Sequence, residues 1–223
     1  LFENGLLAGA HVVITGGPTR EAIDPVRFIS NHSSGKMAYA LASEAIAAGA
    51  KVTLVSGPVN LPPPPLVRRV NVETANEMLE KVLALGPNMD IFIGVAAVAD
   101  YRPAKCENKK IKKSSANLEL KLVKNPDIIS EVSKLSSKPF TVGFAAETDA
   151  IVENGKEKLK EKSLDLLFAN NAIETFNNDN ITVTAIDRDA EKQIGPATKL
   201  LVARQIIELI STRLRGEEKT SNE

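Results

Sequence analysis

Three short apolar runs, each followed closely by glycine, proline or other small residues, constrain the fold of this chain more than any other feature. They cover residues 11–15, 51–56 and 90–97. Their β-branched, near-continuous apolar character is typical of strands that are buried on both faces of a sheet. An alanine-rich stretch over 36–49 and an amphipathic one over 75–85 separate them and predict helices. This alternation predicts an α/β fold around a mainly parallel sheet with right-handed crossovers.

The second half of the chain continues the pattern with two alternating stretches. Residues 118–122 predict a half-exposed strand, and 181–186 predict an antiparallel strand at the edge of the sheet. The other predicted elements are strands over 67–72, 140–145 and 164–169 and helices over 128–135, 153–162 and 200–214. We predict one domain over residues 1–215 and a disordered polar tail over 216–223.

Composition excludes several classes of function. The 223 residues include 28 Lys+Arg and 28 Asp+Glu, and a net charge of zero argues against a bulk nucleic-acid binder or a membrane-surface protein. With 1 Cys and 2 His, a zinc site built from these residue types is excluded. No apolar run reaches the roughly 18 residues of a membrane span, and no secretion leader is evident. We expect a cytoplasmic protein, and the start at Leu1 predicts a domain taken from a longer chain.

The segment 33–36 (SSGK) opens the first predicted helix. Serine hydroxyls, a glycine and free backbone N–H groups at a helix start make an anion site, although a plain N-cap explains the same residues. The segment is not a Walker A loop, because Ser30 and Met37 stand where that pattern needs Gly and Ser or Thr. Pro18 and Arg20 likewise break the dinucleotide fingerprint in the preceding turn.

Charged residues mark a second group of candidates. Five lysines lie within 105–113, which we call the basic flap: either a solvated loop or a segment that closes over a polyphosphate. Lys158 and Lys162 share one helix face and suit the same anion, although nearby glutamates also fit a salt-bridged surface. Asp100 follows a buried strand, where it either holds Mg²⁺ or caps a turn.

Several sequence blocks together resemble one family, the bacterial phosphopantothenoylcysteine synthetases. The resemblance runs from about residue 7 to 214, with the blocks in the family's order and spacing. The blocks are VITGGPTREAIDPVRFISNHSSGKM (13–37), GVAAVADYRP (94–103), KIKK (110–113), VKNPDI (123–128), GFAAET (143–148) and FANNAI (168–173).

The resemblance implies a Rossmann-like, mainly parallel sheet with helices on both faces, a basic flap and a small antiparallel extension. It also implies a ligase of coenzyme A biosynthesis that uses Mg²⁺. In that reaction the carboxylate of 4′-phosphopantothenate attacks CTP to give an acyl-cytidylate and pyrophosphate, and cysteine then displaces CMP to form an amide. The implied partners are a second copy of the chain, which shares its active sites, and a fused flavin-dependent decarboxylase domain.

The same resemblance assigns roles to individual residues. Asn31 and Lys110 are the expected catalytic residues, and Asp100 is also the expected metal ligand. Residues expected to bind phosphopantothenate are Arg27 (in its own or the partner's site), Asn31, Ala96, Ala97 and Asp100. Residues expected to bind the nucleotide are Gly16, Ser33, Gly35, Asp100, Lys110, Pro126, Asp127, Ile128, Ile129, Phe144, Lys158, Lys162 and Asn170.

Two other functions compete with this expectation. A nicotinamide-dependent oxidoreductase uses a similar sheet, and Tyr101 and Lys105 have the spacing of a short-chain dehydrogenase pair. That pair needs a helix, which Pro103 opposes, and the second strand ends without an acidic residue for a ribose. In a non-catalytic binding module, the lysines of the basic flap are surface residues only.

Overall fold

The computed structural model describes residues 5–112, 117–147, 150–171 and 180–220. The predicted site blocks that extend to residues 113, 148 and 172–173, and the last tail residues 221–223, lie partly or wholly outside this range. In chain order the elements are β1 (His11–Gly16), β2 (Arg20–Ala22), β3 (Phe28–Ser30), α1 (Lys36–Ala47), β4 (Lys51–Ser56), β5 (Arg68–Asn71), α2 (Ala75–Leu83), β6 (Ile91–Gly94), β7 (Tyr101–Pro103), β8 (Leu122–Lys124), α3 (Ile128–Ser133), β9 (Phe140–Glu147), α4 (Ile151–Glu161), β10 (Leu166–Asn171), β11 (Asn180–Ile186), β12 (Glu191–Thr198) and α5 (Lys199–Thr220).

The described strands form one large sheet in the order β12-β11-β10-β9-β6-β1-β4-β5. The pairs from β10 through to β5 are parallel, whereas β10, β11 and β12 pair antiparallel. β1 lies inside the sheet and is buried along its whole length, which explains why its sequence is apolar on both faces. The predicted α/β class and mainly parallel sheet are therefore confirmed.

Helices cover both faces of the sheet, as the resemblance implies. Leu41 of α1 and Ile206 of α5 pack on one face, in a core that includes Ile14 and Phe168. α2 and α3 pack on the other face against Phe92, and α4 covers the β9–β10 end of that face. Thr74 caps α2 by accepting a hydrogen bond from the Glu77 N–H. Local sequence and tertiary packing therefore favour the same helix start.

Two small antiparallel ribbons project from the sheet. β2 pairs with β3, and β7 pairs with β8. The sequence pattern missed the first ribbon, because residues 17–33 show no sustained alternation. In the second ribbon the half-exposed strand predicted over 118–122 is displaced, since the strand there is Leu122–Lys124. Tyr101–Pro103 is a strand and not a helix, so the short-chain dehydrogenase geometry is absent from this segment.

Three other predicted boundaries were wrong. The predicted edge strand β11 is an inner strand, because β12 pairs outside it. The strand β6 ends at Gly94, and the apolar residues that follow form a loop that keeps only an isolated parallel bridge, between Pro18 and Ala97. The last helix, predicted to end at Leu214, continues to Thr220 and into the segment predicted to be a disordered tail. Among the described residues, no helix has the length and apolar character needed to cross a membrane.

Candidate active site

A cavity of about 1180 Å³ opens at the carboxyl ends of the central strands. Thr15 at the end of β1, Gly94 at the end of β6, Phe144 near the end of β9 and Asn170 in β10 all line it. The chain crosses from one face of the sheet to the other between β1 and β6, since α1 covers one face and α2 the other. Such a reversal separates the strand-end loops and is where open α/β sheets bind ligands.

The loops that follow β1 and β6 are joined to each other at the cavity. The Ala97 N–H donates to the Gly17 carbonyl at 2.9 Å, and the Thr19 N–H donates to the Ala97 carbonyl at 3.3 Å. The fully buried Thr19 hydroxyl accepts the Ala99 N–H at 3.0 Å. These bonds continue the β1–β6 pairing beyond the sheet and fix loop 95–100 as one wall of the cavity.

Two asparagines hold the same loop from opposite sides. Asn31 Nδ2 donates to the Val98 carbonyl at 3.0 Å, with a longer contact to the Ala97 carbonyl at 3.5 Å. Buried Asn125 donates to the Ala99 carbonyl at 2.8 Å, and its own Oδ1 accepts from Arg102. The Asn31 amide is therefore held at the cavity wall by its nitrogen atom.

The start of α1 presents free backbone donors to the cavity. Gly35 is the N-cap residue and has a φ of 73°, and no side chain in the described part of the chain caps the helix there. The Ser33 hydroxyl accepts the Gly35 N–H at 3.3 Å and so stabilises the preceding turn. Because the plain N-cap expected as an alternative is not formed, the first N–H groups of α1 remain available to an anion.

Gly16 and Ala38 pack against each other behind this helix start. A Cβ atom added at Gly16 would lie 2.5 Å from the Ala38 Cβ. Ala38 itself is buried and lines the cavity, whereas Gly16 is buried but is not among the lining residues. The absence of a side chain at Gly16 therefore lets α1 approach β1 closely.

We expect Gly16→Ala to destabilise the protein and Ala38→Gly to suppress that loss. Overpacking costs about 1–3 kcal/mol, and glycine near a helix start costs up to about 1 kcal/mol. In the double variant the methyl group is removed from position 38 of α1 and added at position 16 of β1, so that the space between them still holds one methyl group. Urea unfolding of the wild type, both single variants and the double variant measures the coupling, expected to be about 1–3 kcal/mol. Additive losses would show that the two positions do not share this space.

The far side of the cavity is basic. Lys158 and Lys162 lie on its wall, one helical turn apart at the end of α4. Lys162 Nζ contacts Asp127 Oδ2 at 2.8 Å, and Asp127 also caps α3 by accepting the Ser130 N–H. Burial raises the pKa of Asp127, but the hydrogen bonds from Lys162 and Ser130 outweigh it, so this pKa lies below its usual value. Asp127 therefore stays ionised and orients Lys162.

The structure brings most of the predicted site residues into this one cavity. Those that line it are Asn31, Ser33, Gly35, Ala96, Ala97, Asp100, Pro126, Asp127, Ile128, Ile129, Phe144, Lys158, Lys162 and Asn170. Three predicted residues do not line it: Gly16, Arg27 and Lys110. Gly16 packs behind the cavity against Ala38. Arg27 lies in the turn of the β2–β3 ribbon, and Lys110 lies on the basic flap.

Sequence reasoning missed several residues that shape the cavity. Thr19 and Asn125 fix loop 95–100, although both belong to blocks that carry the family resemblance. Ile181, Val183 and Lys199 line the end of the cavity next to β10. The alternating pattern of β11 gave no sign of this role, because burial by a ligand cavity and burial by a core select the same apolar residues.

The described residues contain no group of three or more His, Cys, Asp or Glu side chains placed to hold a metal ion. Asp100 is an exposed carboxylate on the cavity wall. Mg²⁺ is commonly held by one or two carboxylates together with substrate phosphates and water. A single carboxylate on the cavity wall therefore fits a magnesium ion that is held mainly by substrate phosphates and water.

Comparison with known proteins identifies the family. Residues 7–214 match the family described as DNA/pantothenate metabolism flavoprotein C-terminal domain. Because this match covers most of the chain, the chain belongs to that family, and the resemblance found in the sequence blocks is confirmed.

Individual relatives agree with this assignment. The chain is 48% identical over 217 residues to the coenzyme A biosynthesis bifunctional protein CoaBC of Vibrio vulnificus strain CMCP6, covering 95% of this chain and 54% of that protein. It is 48% identical over 210 residues to CoaBC of Escherichia coli K12, covering 91% of this chain and 52% of that protein. The chain thus spans about half the length of these curated relatives.

A solved structure matches nearly the whole chain. The crystal structure of the C-terminal domain of CoaBC superposes with a TM-score of 0.83 and 39% sequence identity, and covers 96% of this chain and 100% of that one. None of these relatives supports the nicotinamide-dependent alternative.

Proposed function

We propose that this chain is a phosphopantothenate–cysteine ligase that activates its substrate with CTP. One observation carries the proposal: a single cavity joins an uncapped helix start and Asn31 on the β1 side to the lysines of α4 on the β10 side. Two polyanions must meet in this reaction, and backbone N–H groups and lysines offset their repulsion. The name of the bifunctional relatives, coenzyme A biosynthesis protein, supports the same pathway.

The chemistry has two steps. A carboxylate oxygen of 4′-phosphopantothenate attacks the α-phosphorus of CTP, the new P–O bond forms, the α–β anhydride bond breaks, and pyrophosphate leaves. The amine of cysteine then attacks the acyl carbon, the C–O bond to CMP breaks, and the nitrogen gives up a proton. Charge develops on phosphate oxygens first and on the acyl oxygen second, so the site needs donors at both places.

The cavity residues divide into two groups for these steps. Lys158, Lys162 and the free N–H groups of α1 bind the phosphates of the nucleotide, and Phe144 and Asn170 contact its base or ribose. Loop 95–100, with Ala96, Ala97 and Asp100, receives phosphopantothenate. Asn31 contacts the acyl group, where an amide stabilises the developing oxyanion without adding charge. Lys110 approaches the phosphates from the basic flap.

Magnesium belongs to this proposal as a companion of CTP. Asp100 would hold it together with the nucleotide phosphates, and the ion would neutralise charge on the triphosphate. The residues of this chain bind and orient the reactants around it, with the α4 lysines on one side and loop 95–100 on the other.

A homodimer is part of the proposal because two ribbons leave apolar side chains uncovered. Val26 and Phe28 on the β2–β3 ribbon and Tyr101 and Leu122 on the β7–β8 ribbon are 43% to 60% exposed. The ribbons adjoin, since β2 packs against β7.

Light scattering is expected to give twice the 23.9 kDa chain mass. Phe28→Ser should lower that mass, whereas Leu200→Ser on α5 should not.

The length of the relatives supports a proposal about the rest of the protein. The matched CoaBC proteins are bifunctional and about twice as long. We propose that this chain works with a flavin-dependent decarboxylase domain as the other half of a bifunctional protein, and that it acts in the cytoplasm.

The decisive assay for the function is pyrophosphate release by the purified chain. With 4′-phosphopantothenate and Mg²⁺ present, CTP should support release and ATP should not, and cysteine should be needed only for CMP release. Release that is independent of phosphopantothenate, or equal with both nucleotides, would contradict the assignment.

A further inference from the structure

The basic flap is attached to the β2–β3 ribbon at a defined point. The Ile111 N–H donates to Asp24 Oδ2 at 3.1 Å, and the Ile111 carbonyl accepts from Arg27 Nη2 at 3.2 Å. The Glu107 N–H donates to the Ile23 carbonyl at 3.0 Å. Both polar backbone groups of Ile111 are therefore held by the two side chains of the Asp24–Arg27 turn, next to Lys110.

Asp24 is buried although it is charged and lies in the turn at the tip of the β2–β3 ribbon. It is only 2% exposed. Its Oδ1 accepts the Val26 and Arg27 N–H groups, both at 2.9 Å, and its Oδ2 accepts Arg27 Nε and Nη2 as well as the Ile111 N–H. The Arg27 guanidinium holds the pKa of Asp24 well below its usual range, and burial only partly opposes this.

The two oxygens of Asp24 have separate tasks. Oδ1 closes the turn within its own ribbon, as aspartates commonly do. Oδ2 accepts hydrogen bonds from the Arg27 side chain and from the Ile111 N–H of the flap. A turn needs only the first set of bonds, so the second set points to a role in the flap.

We propose that Asp24 is a positioning residue, which together with Arg27 fixes the basic flap at Ile111 and so sets where Lys110 approaches the nucleotide. This rests on the proposed function, in which Lys110 acts on the phosphates. With the backbone held at Ile111, only the long Lys110 side chain has to find its position, and the entropy of ordering the flap is lost on folding and not during turnover.

Lysine pairing within the flap agrees with this role. Lys105 Nζ is paired with Glu107 at 2.8 Å, which raises the pKa of Lys105. No described residue pairs with Lys110, and this residue is exposed. The two hydrogen bonds at Ile111 thus lie beside a flap lysine that pairs with none of the described residues.

Asp24→Asn tests the proposal, because it keeps an oxygen for the turn and replaces the other with an NH₂ group that cannot accept from Ile111. Amide hydrogen exchange in the unliganded protein should show the Ile111 N–H exchanging at least tenfold faster, while Val26 stays protected. In the assay, kcat for pyrophosphate release should fall at least tenfold, with the Kd for CTP changed less than threefold.

Asp187→Asn is the matched control. Asp187 Oδ1 also accepts two backbone N–H groups, and its Oδ2 also accepts from an arginine, Arg213, but it lies between β11 and β12 and does not contact the flap. This variant should lose stability without a change in Ile111 exchange or in kcat. Light scattering of both variants should give the wild-type mass.

The outcomes separate the two claims. A wild-type protein that releases no pyrophosphate contradicts the proposed function, and the exchange rates still report whether Asp24 holds the flap. An active wild type with an equally active Asp24→Asn variant overturns the positioning role. So does unchanged exchange at Ile111, or an equal loss of kcat in Asp187→Asn.

Discussion

Replacing Lys110 by glutamine is expected to reduce pyrophosphate release by 100-fold to 1000-fold, on the order of the loss when one transition-state donor is removed from a preorganised site. Glutamine keeps the length of most of the side chain and a hydrogen-bond donor but carries no charge. The lysine is exposed, and no described residue pairs with it, so the fold should not need it. Measured melting temperatures should therefore stay within about 2 °C of the wild type.

Lys109→Gln is the control for this experiment. Lys109 is the immediate neighbour of Lys110 in the same flap, is equally exposed, and carries the same charge. If only the overall charge of the flap matters, both variants lose activity to the same extent. If Lys110 acts at the phosphates, the Lys109→Gln variant should lose less than about threefold in the rate of pyrophosphate release, which is the effect expected from removing one solvent-screened charge. Equal losses would contradict the specific role of Lys110.

Asn31→Asp is expected to slow amide formation more than activation, so that the acyl-cytidylate accumulates. Asn31 Nδ2 donates to the Val98 carbonyl at the cavity wall. An aspartate has nearly the same shape, but it has no N–H group and places a negative charge against a carbonyl and beside a developing oxyanion. Loss of one such donor costs about 3–4 kcal/mol of transition-state stabilisation. Mass spectrometry after mixing with CTP and phosphopantothenate should detect the intermediate.

A second asparagine separates this chemistry from simple loop anchoring. Asn125 donates to the Ala99 carbonyl of the same loop at 2.8 Å, from the side of α3. Asn125→Asp should loosen loop 95–100 and slow both steps together, without accumulation of the intermediate. Accumulation in both variants would mean that Asn31 matters only as an anchor of the loop. Wild-type turnover in Asn31→Asp would remove its assigned role.

Much of the fold could be predicted from local patterns, because the hydrophobic patterns of a buried strand and of an amphipathic helix each need only a short window of sequence. β4 begins and ends where its pattern predicted, at Lys51 and Ser56. The inner position of β11 was not predicted, since its alternation describes one covered face and says nothing about a further strand beside it. The β2–β3 ribbon was missed for a related reason: its three-residue strands are too short for a periodic signal.

The sequence predicted which residues belong to the candidate site better than it predicted the hydrogen bonds that join them. The blocks that resemble the family contain Asn31, Asp100 and Asn170, and the structure places these side chains on one cavity. The bonds that hold the cavity, such as the one between Thr19 and Ala99, join residues far apart in the chain. The hydrogen bond between Asp24 and Ile111 is of the same kind, and no spacing rule in the sequence reveals it.

The net charge of zero also has a different meaning in the structure. It describes the whole chain, whereas the cavity places Lys158 and Lys162 on one wall and an uncapped helix start on another. A neutral protein can therefore hold a strongly anionic ligand, because electrostatic attraction depends on the charges within a Debye length of the ligand, about 8–10 Å.

The route of the carboxylate oxygen tests the central claim most directly. Phosphopantothenate labelled with ¹⁸O in its carboxylate is incubated with the wild-type chain, CTP, cysteine and Mg²⁺, and the products are analysed by mass spectrometry. If the carboxylate attacks the α-phosphorus and cysteine later displaces CMP, one labelled oxygen appears in CMP and none in pyrophosphate. Unlabelled CMP, or label in pyrophosphate, would contradict the proposed reaction.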